Sequence, residues 1–189
     1  MFLFGILLAC AEPEVVRETA YITETVTETE TITEEICATI EGHRPCDFFV
    51  FDEDGSEVNF HSLIGIPVIL DLSTMWCGPC NAAAVEVQNT QDRYPDLVYL
   101  TILIENSQGI APTHEDLQDW ETYHGITTAP TWAGSREVIT DDPTDGDEFY
   151  LRSWPTFYFL DENLKIVGYQ QGFNQTIIDD WAETLTDQE

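Results

Sequence analysis

Positive charge is what this chain has least of. Its 189 residues contain six Lys and Arg, with Lys165 the single lysine, against 36 Asp and Glu, for a formal net charge of −30. Nucleic acid is excluded as a partner, because binding it depends on neutralising phosphates with cationic side chains. Such a surface stays soluble by self-repulsion and suits a strongly screened, saline medium. Long apolar runs are also missing. The only uninterrupted one, Met1–Ala11, is well short of the roughly 20 residues that a membrane-crossing helix needs. Closely spaced metal-ligand pairs are scarce too. The histidines at 43, 61, 114 and 124 are scattered and read as surface or loop residues. Cys77-x-x-Cys80 therefore has no second pair to complete the four ligands of a zinc site. Neither a metal nor a cofactor is expected, and no internal repeat is visible.

What the chain does have is five cysteines, at 10, 37, 46, 77 and 80. An odd number requires an account of the unpaired one. Residues Phe2 to Ala9, followed by Cys10, resemble the end of a bacterial lipoprotein signal, in which Leu-x-Ala-Cys precedes the lipid-bearing cysteine. Residues 1–10 are thus expected to be a signal-like segment with Cys10 the lipidation site. Residues 11–36 form a Thr/Glu tract too poor in apolar side chains to offset chain entropy, and read as an extended tether. A domain is expected over 37–189. Cys37 and Cys46 are assigned a structural disulfide of an oxidising compartment, with a second redox centre as the alternative.

Inside the domain, 47–51 and 58–60 read as strands around an Asp52-Glu53-Asp54-Gly55 turn. The near-continuous apolar runs 66–72 and 97–104 have the character of buried central strands. Residues 82–94 read as a helix stopped by Pro95. Thr113, with Asp116 three residues on, starts another that runs to about His124. The stretch 125–152 reads as loop with at most one short strand. A hairpin follows over 156–169, and a closing helix over about 174–185. The order implies an α/β fold, a central mixed sheet flanked by helices on both faces, with an N-terminal strand extension.

The chemistry centres on Trp76-Cys77-Gly78-Pro79-Cys80, between the apolar strand and the helix whose mouth lies near Cys80. A cysteine at a helix N-terminus faces unsatisfied N–H groups and the positive end of the macrodipole, which stabilise its thiolate. Cys77, nearer the solvent, is the expected nucleophile, and Cys80, one turn deeper, the resolving thiol. Together with Val68-Ile69-Leu70-Asp71-Leu72-Ser73-Thr74-Met75 this segment closely resembles the active-site strand and loop of thioredoxins. The resemblance implies that Asp71 accepts the Cys80 proton, a role that suits an acid whose pKa is raised by burial. It also implies that Pro155, in Ser153-Trp154-Pro155-Thr156, is the cis-proline beside the cysteines; Pro130 is the competitor. Trp76, Trp154 and Pro155 would then contact substrate. The extension before the apolar strand and the insertion before Pro155 resemble the membrane-anchored, TlpA-type branch of the superfamily, many members of which carry Asn where Asp71 stands.

This resemblance implies an extracytoplasmic thiol–disulfide oxidoreductase, lipid-anchored in the cell envelope. Its partners would be protein disulfides and a membrane or periplasmic electron donor. The Gly-Pro dipeptide resembles that of reducing thioredoxins, which implies reduction or isomerisation of substrates over their oxidation. Two other readings stay open. Thr74-x-x-Cys77 matches the peroxiredoxin pattern of a thiol peroxidase, although Leu70 replaces its proline. Alternatively, the cysteines only staple a loop in a binding module.

Overall fold

The computed structural model describes residues 37–187. The signal-like segment, Cys10 and the tether lie outside the described residues. The two apolar runs become adjacent parallel strands, β3 (Val68–Thr74) and β4 (Val98–Glu105), which are buried almost throughout. Strands covered on both faces have no polar side to present, hence the unbroken apolar sequence. Around them stand β1 (Phe49–Phe51), β2 (Glu57–Asn59), β5 (Thr131–Ala133), β8 (Thr156–Leu160) and β9 (Ile166–Gln171), in the spatial order β2-β1-β5-β4-β3-β8-β9. β4 and β5 are parallel, whereas β8 runs antiparallel to β3 and β9 antiparallel to β8.

Among the described residues, three α-helices form for local reasons. α1 (Gly78–Arg93) has Cys77 at its N-cap and Pro79 in the first turn, where a missing N–H costs nothing. α2 (His114–His124) opens with a Thr113/Asp116 capping box and closes at Gly125, whose φ of 72° suits a residue without a side chain. α3 (Gln175–Thr186) buries Ile178, Ala182 and Leu185 along one stripe.

Side-chain alternation on the sheet divides the core in two. Ile69, Tyr99, Leu103, Phe157 and Phe159 pack with Ala83 and Val87 of α1, Leu117 and Trp120 of α2, and Ile178 and Ala182 of α3. Leu70, Leu72, Leu100 and Ile102 face the other way, toward Phe60, Phe149 and Leu151. Helices flank both faces unequally: the α-helices take one, and 3-10 turns at Phe60–Leu63 and Arg136–Val138 help to close the other. Phe48 stacks on Phe60 at 4.7 Å in that second core.

Three local expectations are corrected. α1 starts at Gly78, four residues before Ala82, because the cap and the proline carry the helix back into the motif. The stretch 125–152 holds three short strands, β5, β6 (Ile139–Thr140) and β7 (Phe149–Tyr150), with β6 and β7 forming a separate parallel pair. Strands of two or three residues are too short to display a period. His124 is not a simple surface residue: it is partly buried on α2, its ring 4.3 Å from that of Trp120, and both its nitrogens are enclosed without a partner.

The start of the described chain is clipped to the domain. Cys37 and Cys46 are joined by a disulfide with 4.7 Å between their Cα atoms. Within that loop, the Thr39 hydroxyl donates to the carbonyls of Gly146 and Glu148, and the Gly42 N–H donates to the Ile166 carbonyl.

Candidate active site

β3 delivers the motif. Its register with β4 shifts between Ser73 and Thr74, and Thr74 comes to stand opposite Glu105. The chain then turns through Met75 and Trp76 into α1. Asn81 braces this turn, donating from its side chain to the carbonyls of Met75 at 3.0 Å and Cys77 at 2.8 Å. Cys77 and Cys80 form a disulfide with Cα atoms 5.2 Å apart, and the Cys77 sulfur accepts the Cys80 N–H at 3.1 Å. That bond is a helix N-cap made by sulfur, so one N–H of the first helical turn already points at this atom. Cys77 is 4% exposed and Cys80 fully covered. Of the two sulfur-bearing residues, Cys77 is the less enclosed.

Asp71 alternates with Leu70 and Leu72, which places it on the sheet face that α1 covers. It is fully buried, opposite Thr101 on β4 and Phe157 on β8. Desolvation pushes its carboxyl up to about 7, although the Ser73 hydroxyl, which donates to Oδ1, pulls the other way. Its second oxygen, Oδ2, makes no hydrogen bond. Tyr99 is likewise held well above its ordinary value, by burial first and by the charge of Asp71 second.

The Trp154–Pro155 peptide bond is cis, the one such bond among the described residues; Pro130 is not in a cis bond. Pro155 is buried and its carbonyl accepts the Gly172 N–H at 2.7 Å. Trp154 meets Trp76 edge-on, with ring centroids 6.3 Å apart. The structure thus brings Trp76, Cys77, Cys80, Trp154 and Pro155 into one neighbourhood, with Asp71 on the covered face of the strand that leads into it. Cys37 and Cys46 are attached elsewhere, to the 146–148 segment and β9.

Sequence reasoning missed Glu105. Its carboxylate accepts the Trp76 indole N–H at 2.8 Å on one oxygen and the Arg136 Nε–H on the other. The available signal was a carboxylate ending a buried apolar strand. A cleft of about 460 Å³ beside the motif, lined by Met75, Asn81, Trp120 and Tyr123, was also not foreseen.

This is a thioredoxin-like fold. No protein-family model matches the chain. Thioredoxin of Ophiophagus hannah is 30% identical over 56 residues, which cover 30% of this chain and 52% of that protein. The chain spans about half the length or less of the curated thioredoxins it matches. Among solved structures, a secreted thiol-disulfide isomerase from Corynebacterium glutamicum aligns with a TM-score of 0.59 at 19% identity, covering 84% of this chain and 95% of the other. The exposed lipoprotein thioredoxin of Streptococcus pneumoniae aligns with a TM-score of 0.55 at 22% identity, covering 73% and 99%. A thiol peroxidase from Chromobacterium violaceum shares the fold too, with a TM-score of 0.55 at 12% identity over 77% and 87%. These likenesses show the fold, which this chain shares with a secreted thiol-disulfide isomerase, a lipoprotein thioredoxin and a thiol peroxidase.

Proposed function

We propose that this protein is an extracytoplasmic thiol–disulfide oxidoreductase that reduces disulfides in protein substrates. The observation that carries the reading is the Cys77–Cys80 pair at the mouth of α1, with the Cys77 sulfur already accepting a helix N–H.

In the reduced protein, the Cys77 thiolate attacks one sulfur of a substrate disulfide. The substrate bond breaks, its second sulfur leaves as thiolate, and a mixed disulfide forms on Cys77. Asp71 takes the proton from Cys80, and the Cys80 thiolate then attacks the Cys77 sulfur. The substrate departs with both thiols, having gained two electrons, and the protein is left with the Cys77–Cys80 bond. A carboxyl held near 7 exchanges that proton readily at neutral pH. Trp76, Trp154 and Pro155 frame the approach to the sulfur and contact the substrate chain. The next turnover needs an external dithiol, which for an extracytoplasmic domain is a membrane or periplasmic donor.

Lipid attachment through Cys10 is part of the same reading. It is supported by the Leu7-Leu8-Ala9-Cys10 pattern and by the similarity to a secreted isomerase and an exposed lipoprotein.

Insulin reduction with dithiothreitol as the reductant tests the activity. Turbidity should rise faster with the wild type than with dithiothreitol alone, and Cys77→Ser should return it to that background. Equal rates for the two proteins would instead favour a stapled binding module.

A further inference from the structure

We propose that Glu105 is a positioning residue: it fixes the Trp76 ring beside the reactive cysteines and couples that ring to the segment carrying Arg136. The inference rests on reading Cys77–Cys80 as an exchange centre, and it adds a determinant of polypeptide recognition.

Glu105 is the last residue of β4, with a side chain only 7% exposed. A carboxylate so placed is costly to bury unless its oxygens are paired. Here each oxygen has its own donor. Oε2 accepts the Trp76 indole N–H at 2.8 Å, and Oε1 accepts from Arg136, whose guanidinium supplies the compensating charge. The backbone joins in, because the Glu105 carbonyl accepts the Met75 N–H at 3.0 Å. One residue therefore grips the loop that precedes Cys77 by both main chain and side chain.

Trp76 is otherwise 49% exposed, with an edge contact to Trp154 as its other aromatic restraint. An exposed indole free to turn would have to be ordered each time a polypeptide lay across it. An indole held at its nitrogen presents a fixed wall beside Cys77. The benefit goes to substrates long enough to touch the ring. A small aromatic disulfide that reaches only the sulfur should gain little.

The test combines a spectroscopic reading with kinetics. In ¹H–¹⁵N spectra, the Trp76 indole resonance is assigned by its loss in Trp76→Phe. Glu105→Leu should move that resonance, and Glu105→Gln, which keeps an acceptor for the indole, should restore most of its position. Arg136→Gln, at a side chain 67% exposed, should move it in part. In the insulin assay, Glu105→Leu should raise KM roughly five- to tenfold, the usual effect of losing one such bond, with kcat within about twofold. Reduction of 5,5′-dithiobis(2-nitrobenzoate) should be unchanged. A resonance unmoved in both Glu105→Leu and Arg136→Gln would overturn the proposal, as would equal losses on insulin and on the small disulfide. If the wild type fails to reduce insulin, the exchange reading falls, and the indole shift still decides the Glu105 contact.

Discussion

Asp71 is the residue at which stability and chemistry oppose each other. Its carboxyl sits near 7 in the folded, oxidised protein against an ordinary value of 3.8. Protons are therefore bound more tightly in the folded state, and the stability this confers is complete below pH 4. It is lost as pH rises toward 7, by an amount on the order of 4 kcal/mol. Over the same interval the group gains the ionised form that the proposed proton transfer from Cys80 requires. Asp71→Asn should flatten the decline in stability between pH 4 and 7, measured by chemical denaturation at several pH values. It should also slow release of substrate from the mixed disulfide, on the order of 10²-fold at pH 7, and remove an inflection near pH 7 from that step. A stability profile identical to the wild type's would show that the carboxyl is not the group titrating.

At the scale of elements, what the sequence displayed depended on whether the determinants were local. β3 and β4 were readable because burial on both faces forces unbroken apolar runs, and α2 because its capping box is contained in four residues. The start of α1 was misplaced because Gly78 and Pro79 are poor interior helix residues that become suitable once Cys77 caps the turn. Glu105 could not be read at all as a partner of Arg136, since 31 residues separate them and neither lies in a periodic pattern. The motif residues, by contrast, were named from one contiguous stretch. A second nonlocal constraint joins β9 to α3: a Cβ at Gly168 would fall 2.5 Å from the Trp181 ring. Trp181 stacks on Phe159 with centroids 4.8 Å apart and has little room to retreat. Gly168→Ala should therefore destabilise the fold by about 1–3 kcal/mol in a denaturant titration, with the Cys77–Cys80 chemistry preserved in the folded fraction. A neutral effect would mean that α3 is free to shift.

For the whole molecule, the excess of carboxylates describes a medium more than a partner. A net charge of −30 repels itself at low ionic strength and is relieved by screening. Attachment is a separate question, and no helix among the described residues is long and apolar enough to cross a membrane. If Cys10 bears lipid, full-length protein expressed in a bacterial host should sediment with membranes, whereas Cys10→Ser should move to the soluble fraction. Equal partitioning of the two would remove the anchor from the proposed function and leave the dithiol chemistry untouched.

The Cys37–Cys46 bond stands where the described chain begins. A pulling force entering from the N-terminal side would cross from sulfur to sulfur and continue at residue 46, leaving residues 38–45 slack. The hydrogen bonds that this loop makes to residues 146, 148 and 166 would then carry no load. Reducing the bond would put those same hydrogen bonds in series with the force, turning a bypassed loop into the first part of the domain to peel.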